Sequence, residues 1–207
     1  MDVLVFDLDN TLLDRDAAMS AYLGTWGAAD SAMQELLVAD ERGCSDRLLF
    51  CESVLAILDL PMTSQALWEH LQANLGSFCL PDLGRTALIA RLRTQAKVVL
   101  LTNGGATNQR LKLSHSGLED AFDHVVVSGE IGVSKPAREA FAACERWPGA
   151  RYVMIGDHPT HDIEGAARCG WATIWISNGR LWTGTRTPDA QIDSVDSVES
   201  ALEGLFK

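Results

Sequence analysis

Four short stretches of this sequence carry side chains suited to chemistry on an anion, and each comes after an apolar run. Val3-Leu4-Val5-Phe6 stops at Asp7-Leu8-Asp9-Asn10-Thr11, and Val98-Val99-Leu100-Leu101 stops at Thr102-Asn103-Gly104. Beyond Val125-Val126-Val127 lies Gly132-Val133-Ser134-Lys135-Pro136. Tyr152-Val153-Met154-Ile155 stops at Gly156-Asp157-His158-Pro159-Thr160-His161-Asp162. Two carboxylates as close as Asp7 and Asp9 repel; at ~4 Å and an effective dielectric of about 20 the pair costs roughly 4 kcal/mol. A divalent cation relieves that cost, and hard oxygen ligands suit magnesium. Four carboxylates, one lysine, a hydroxyl and glycine-freed amides together fit metal-assisted phosphoryl transfer. A carboxylate attacks phosphorus, while cation, lysine and hydroxyl stabilise the charge on the phosphate oxygens.

These groups work together only if the fold brings them together. Short, continuous apolar runs read as buried parallel strands. Here they alternate with helical patterns over Thr86–Arg93, Asn108–His115, Ala137–Arg146 and Ile163–Cys169. A fifth strand is expected over Ala172–Ile176, a loop over Arg180–Pro188, and a last amphipathic helix on Val195, Val198, Leu202 and Leu205. Such alternation predicts an α/β fold, a doubly wound and mostly parallel sheet covered on both faces. Ligands bind such sheets beyond the carboxyl ends of the strands, so the four polar stretches should meet in one crevice. Between Ala17 and about Ser77 the pattern is helical throughout, with Leu48, Cys51, Val54, Leu55 and Leu58, then Leu67, Leu71 and Leu75, near a 3.6-residue period. Ser45 and Thr63 are candidate N-caps. This predicts about four helices inserted after the first strand, with residues 1–14 and 80–207 forming the core domain and 15–79 the insert.

The 207 residues carry a formal net charge of −11. That acidity argues against a nucleic-acid polymer as partner, which needs a basic surface. It leaves a small phosphorylated metabolite open, since local charge decides there. The odd set Cys44, Cys51, Cys79, Cys144 and Cys169 contains no Cys-x-x-Cys pair and reads as reduced thiols. A strand starting at residue 3 leaves no room for a signal peptide, and no apolar run approaches a membrane span. The expectation is a cytoplasmic protein, monomeric or homodimeric, with no membrane partner.

The four stretches resemble the four motifs of the haloacid dehalogenase-like (HAD) superfamily. Asp7-Leu8-Asp9-Asn10-Thr11 is similar to its D-x-D-x-T, Thr102 to its second motif, Lys135 to its third, and Asp157 with Asp162 to the G-D-x-x-x-x-D form of its fourth. The resemblance spans Asp7 to about Ile176 and implies a Rossmann-like core with Mg2+ as cofactor. It implies catalytic roles for Asp7 as a nucleophile forming an aspartyl-phosphate, Asp9 as general acid/base and Lys135 as a bridge between Asp7 and phosphate. It implies phosphate binding by Thr102, Asn103, Gly104 and Lys135. It implies metal binding by Asp7, the Asp9 backbone carbonyl, Asp157 and Asp162. The dehalogenases that named the superfamily lack the second acid of the first motif, so Asp9 points to phosphate ester hydrolysis. The helical insert stands where the superfamily places its C1 cap, which closes over the site and reads the leaving group. No lysine lies between Asp14 and Leu80, which disfavours the phosphonate-cleaving relatives. Leu101-Thr102-Asn103-Gly104 followed by Gln109, Lys112-Leu113, Gly117-Leu118 and Phe122-Asp123 is similar to the pyrimidine 5′-nucleotidase branch. Asn10, where many phosphoglycolate and sugar-phosphate phosphatases have Gly, leans the same way.

Several residues allow two readings. Tyr22 and Trp26 read as packing within the insert in preference to stacking a base, and Arg47 as a solvated helix face in preference to an anion contact. His158 and His161 read as incidental to a magnesium loop in preference to zinc ligands. Trp171, Trp175 and Trp182 read as packing around the last strand. Gly129–Lys135 echoes a phosphate loop, but no Gly-Lys-Ser/Thr follows. The competing functions are a phosphomutase or a sugar-phosphate or phosphoglycolate phosphatase on the same scaffold, a phospho-receiver domain, and a non-catalytic binding protein. A receiver places its acceptor Asp after a middle strand, whereas no Asp ends the Val98 or Val125 strand.

Overall fold

The computed structural model describes residues 1–205. At its centre is β1 (Asp2–Phe6), flanked by β2 (Lys97–Thr102) and β4 (Arg151–Gly156). Outside these lie β3 (His124–Val127), β5 (Ala172–Ile176) and β6 (Ala190–Ile192). The order is β3-β2-β1-β4-β5-β6, and every pairing is parallel. The chain winds outward from β1 to β3, then returns to β4 on the other side of β1. The strand order therefore reverses beside β1, which is where such sheets open a crevice.

Strand side chains alternate between faces, and both faces are covered. Leu4, Phe6, Val98, Leu100, Val153 and Ile155 join one core cluster with the inserted helices, and Val3, Val5, Val99, Leu101 and Met154 join another with Ala140, Phe141 and Ala166. Burial on both sides explains the unbroken apolar runs.

Between β1 and β2 come α1 (Arg15–Gly24), α2 (Asp30–Asp40), α3 (Arg47–Leu58), α4 (Ser64–Asn74) and α5 (Leu83–Arg93). Single 3-10 turns at Glu41–Gly43 and Leu75–Phe78 interrupt them. Thr63 caps α4 as expected, through Ala66 N (3.2 Å). Ser45 does not cap α3; Asp46 does, accepting from Leu48 N and Leu49 N at 2.9 and 3.0 Å. The remaining helices are α6 (Ala106–His115), α7 (Ser128–Ile131), α8 (Arg138–Ala142), α9 (Gly165–Arg168) and α10 (Val198–Leu205).

The expected helix over Ala137–Arg146 is shorter, because beyond Ala142 the bonds tighten to i→i+3 (Cys144 N to Phe141 O, Glu145 N to Ala142 O) ahead of Pro148. The expected helix over Ile163–Cys169 begins earlier, as a π-helical turn at Pro159–Glu164 that runs into α9. Strand β6 and helix α7 carry no signal of their own, being three and four residues long.

A buried ion cluster pins the inserted helices. Asp40, at the end of α2, is wholly buried. It accepts from both terminal nitrogens of Arg15 on α1 and from Arg47 Nη1 (2.8 Å) on α3. Arg47 is thus a structural partner whose guanidinium also lies 5.4 Å from the Phe50 ring centroid. Tyr22 is buried against Trp26 and Phe78 and bonds His70 Nδ1 (3.0 Å), which is the packing role expected for it.

Burial raises the Asp40 pKa, but Arg15 and Arg47 outweigh it and hold the carboxyl below the usual range. A depressed carboxylate stabilises the fold above its unfolded pKa of about 4 and loses that contribution as pH falls through the folded value. Asp40→Asn leaves two arginines without their anion and should cost about 3–5 kcal/mol in a denaturant melt at neutral pH. The gap between variant and wild type should close as the melt is repeated at pH values falling below about 4.

Candidate active site

The carboxyl ends of β1, β2 and β4 and the loop after α7 open into one cleft of about 630 Å3. Asp7, Asp9, Thr102, Asn103, Lys135, Asp157 and Asp162 all line it. Asp7 is placed by the sheet itself: its N–H continues the β1–β4 ladder by donating to Ile155 O (2.9 Å). Lys135 is 3 % exposed. Its Nζ donates to Asp7 Oδ1 (2.6 Å), Asp162 Oδ1 (2.7 Å) and Leu101 O (2.8 Å). The other Asp162 oxygen accepts from His158 N (2.9 Å). A glycine is required at 156, because a Cβ there would stand 2.4 Å from Asp162 Oδ2.

Asn103 and Gly104 serve the scaffold. The Asn103 side chain clamps the Lys135 backbone at two points, donating to its carbonyl and accepting from its N–H, each at 2.9 Å. The Gly104 N–H donates to Ser128 Oγ (2.9 Å), so this amide is engaged within the fold. Thr102 Oγ1 accepts from Gln109 Nε2 at 2.5 Å.

Asp9 is held by two residues of α6. Lys112 Nζ reaches both its oxygens, at 2.8 and 2.6 Å, and Gln109 Nε2 reaches Oδ2 at 3.1 Å. Lys112 is 2 % exposed. Gln109, Lys112 and Leu113 form the buried face of α6 at helical spacing, and Ser116, just past its end, is buried as well. Polar residues at positions that the period turns inward are a signal the sequence offered. Arg42 and Arg180 were not singled out by sequence. Arg180 Nη2 lies 2.9 Å and Arg42 Nη2 3.3 Å from Asp157 Oδ2. Arg180 follows the β5 strand end, so the rim rule could have found it; Arg42 comes from the helical insert and carries no local signal. Trp175 lies buried beneath, donating its indole N–H to Asp157 O (2.8 Å).

The charges divide into two groups. Burial, with help from Asp162 and Asp157, pushes Asp7 up to about 8 against the pull of Lys135. Asp157 is pushed up to about 6 by burial and by Asp162. Burial disfavours the Lys135 ammonium, yet Asp162 and Asp7 outweigh it and hold its pKa above that of an ordinary lysine. Asp9 goes the other way: burial raises it, but Lys112 and Arg15 prevail and keep it below the usual carboxylate range.

Asp7, Asp157 and Asp162 each bring one carboxylate oxygen to within 4.8 Å of the others. Three buried hard-oxygen donors crowded into one spot are a fitting set for a magnesium-type ion. The Asp9 side chain faces its cationic partners, and its expected metal contact involves only the backbone carbonyl.

Comparison with known proteins agrees with this architecture. A sequence model of the haloacid dehalogenase-like hydrolase family matches residues 1–170. Pyrimidine 5′-nucleotidase YjjG of Escherichia coli is 35% identical over 107 residues, 50% of this chain and 48% of that protein. N-acylneuraminate-9-phosphatase of Rattus norvegicus is 34% identical over 125 residues, 58% of this chain and 50% of that protein. The matched region thus spans about half the length of these curated relatives. The crystal structure of the HAD-hydrolase YfnB of Bacillus subtilis, bound to magnesium, superposes with a TM-score of 0.75. It is 25% identical and covers 98% of both chains. With its parallel sheet, its helical insert after β1 and its acids and lysine on the strand ends, this chain belongs to the haloacid dehalogenase-like hydrolase family.

Proposed function

We propose that the protein is a magnesium-dependent phosphatase of small phosphate monoesters that works through an aspartyl-phosphate on Asp7. The observation that carries this reading is the paired placement of Asp7 and Asp9 in one cleft, each with its own lysine. An Asp7 carboxylate oxygen attacks phosphorus, and the bond from phosphorus to the ester oxygen breaks. Asp9, ionised in the resting site, gains a proton as the anionic substrate beside it raises its pKa, and gives that proton to the leaving oxygen. Ionised again, Asp9 takes a proton from a water molecule whose oxygen attacks phosphorus. The bond to Asp7 then breaks, releasing phosphate. Lys135, fixed between Asp7 and Asp162, supplies positive charge where the phosphate oxygens collect it. The bound divalent ion, held by Asp7, Asp157 and Asp162, would screen the repulsion between the nucleophile and an anionic substrate.

The helical insert is proposed to act as a cap, residues 15–79 closing over a core formed by 1–14 and 80–207. The interdomain movement named for YfnB supports that reading. So does the way Arg42 reaches from the insert to Asp157. Among monoesters we favour nucleoside 5′-monophosphates, on the similarity to YjjG and on Gln109 and Lys112.

A panel of nucleoside monophosphates, sugar phosphates, phosphoglycolate and an aryl phosphate, assayed with magnesium, tests the reading. Wild type should release phosphate and Asp7→Asn should not, while circular dichroism shows the variant folded. Turnover by Asp7→Asn would remove Asp7 as nucleophile. EDTA should stop the reaction and added magnesium restore it; activity that resists the chelator contradicts the metal assignment.

Lys112 is a positioning residue for Asp9, and its removal has a distinct signature. Lys112→Met should lower kcat roughly 10- to 100-fold on alkyl phosphates, part of the about 100- to 10,000-fold that a general acid supplies. The loss should be smaller on an aryl phosphate whose leaving group needs no proton. Equal losses on both esters would show that Lys112 does not act through Asp9.

A further inference from the structure

Three soft or borderline donors stand in the cleft and take no part in the proposed phosphoryl transfer. Cys44 follows the 3-10 turn Glu41–Gly43 of the helical insert, whereas His158 and His161 lie on the loop and π-helical turn after β4. One donor atom from each lies within 4.8 Å of the other two. All three line the cleft, Cys44 being exposed and the histidines half-buried. The two imidazole rings stack, with centroids 3.9 Å apart and planes 13° from parallel.

We propose that Cys44, His158 and His161 form a binding site for a zinc-type transition metal ion, one that ties the helical insert to the rim of the sheet.

Donor chemistry separates this site from the acids beside it. One thiolate and two imidazoles suit zinc, whereas Asp7, Asp157 and Asp162 offer only hard oxygens. Tetrahedral bonds of about 2.0–2.3 Å place ligand atoms about 3.3–3.7 Å apart, so closure of at most about 1.5 Å is needed, and the stacked rings must turn out of parallel to aim at one ion. That is a side-chain adjustment, and Cys44 sits on an exposed turn. Three protein ligands leave a fourth position for water.

Binding has a definite proton and hydrogen-bond cost. The Cys44 thiol loses its proton to solvent. His158 Nδ1 accepts from the backbone N–H groups of Thr160 (3.2 Å) and His161 (3.1 Å). A neutral imidazole bound through Nε2 carries its proton on Nδ1, so ligation through either nitrogen ends those two long bonds.

The site lies within the acidic cleft and takes one ligand from the helical insert and two from the segment after β4. An ion bound there would hold the insert against the sheet rim and slow the passage of substrate and product. That consequence rests on the phosphatase reading; the site itself does not.

Metal-stripped full-length protein, kept in excess magnesium, would be titrated with cobalt(II), a spectroscopic stand-in for zinc. Wild type should give a thiolate-to-cobalt charge-transfer band in the near ultraviolet that saturates at one equivalent and disappears when zinc is added. Cys44→Ser should lack the band, and His161→Gln should weaken cobalt binding at least tenfold. Cobalt held by the carboxylates alone gives no thiolate band, so occupancy of the acid site is not mistaken for this one. A wild type without the band overturns the proposal. So does a band that survives in Cys44→Ser, or unchanged affinity in His161→Gln. Because the readout is absorption, it stands apart from any failure to find a phosphatase substrate.

Discussion

One buried ammonium holds the rim of this sheet together. Lys135 Nζ donates to Asp7 beyond β1, to the Leu101 carbonyl on β2 and to Asp162 beyond β4. It joins three strand ends that backbone pairing alone would leave splayed and polar. Taking a charge out of water is costly unless good partners surround it, and here all three partners lie within 2.8 Å. The price is crowding, because one lysine cannot neutralise Asp7, Asp157 and Asp162 together. Arg180 and Arg42 approach Asp157 to share that load, which draws both the loop after β5 and the helical insert to the same point. The chain as a whole carries −11, yet Lys135, Arg15, Arg42 and Arg180 line its cleft beside the acids. Net charge describes the outer surface, and it is local charge that governs whether an anion can enter.

What the sequence made legible follows from parallel-sheet geometry. Strands buried on both faces leave continuous apolar runs, and their carboxyl ends share one edge, so polar residues after each run had to meet. Asp7, Asp9, Thr102, Lys135, Asp157 and Asp162 could be placed together on that basis alone. Asn103 shows where the reasoning reaches its limit. Its position was legible, but its side chain clamps the backbone of Lys135, a contact set by the path of a loop 32 residues away. Gly104 is similar: only the tertiary structure reveals that Ser128 takes its amide. Arg42 and Cys44 had no signal, since nothing local fixes how a helical insert lies over a sheet. Strand β6 was missed for a simpler reason. Three residues between Asp189 and Asp193 do not establish a period.

The two lysines carry different parts of the proposed chemistry, and the difference comes from their surroundings. Lys135 sits among several acids, so Asp7 remains crowded and its carboxyl is pushed up. Lys112 meets Asp9 alone, with Arg15 adding to its effect, so that carboxyl is pulled down. Carboxyl groups two residues apart on one strand end are thereby driven in opposite directions. A divalent ion held by Asp7, Asp157 and Asp162 would favour the ionised Asp7 that attack on phosphorus needs, while the ionised Asp9 is the form that takes a proton from water. Gln109 adds a mechanical link. Its Nε2 donates to Thr102 Oγ1, Asn103 O and Asp9 Oδ2. The group proposed to grip phosphate and the group proposed to move the proton therefore hang on one amide nitrogen. A phosphate oxygen can accept a hydrogen bond from the Thr102 hydroxyl while Thr102 Oγ1 goes on accepting from Gln109. Gln109 thus fixes the proposed phosphate clamp on β2 and the proposed acid/base after β1 relative to one another, through hydrogen bonds made from α6.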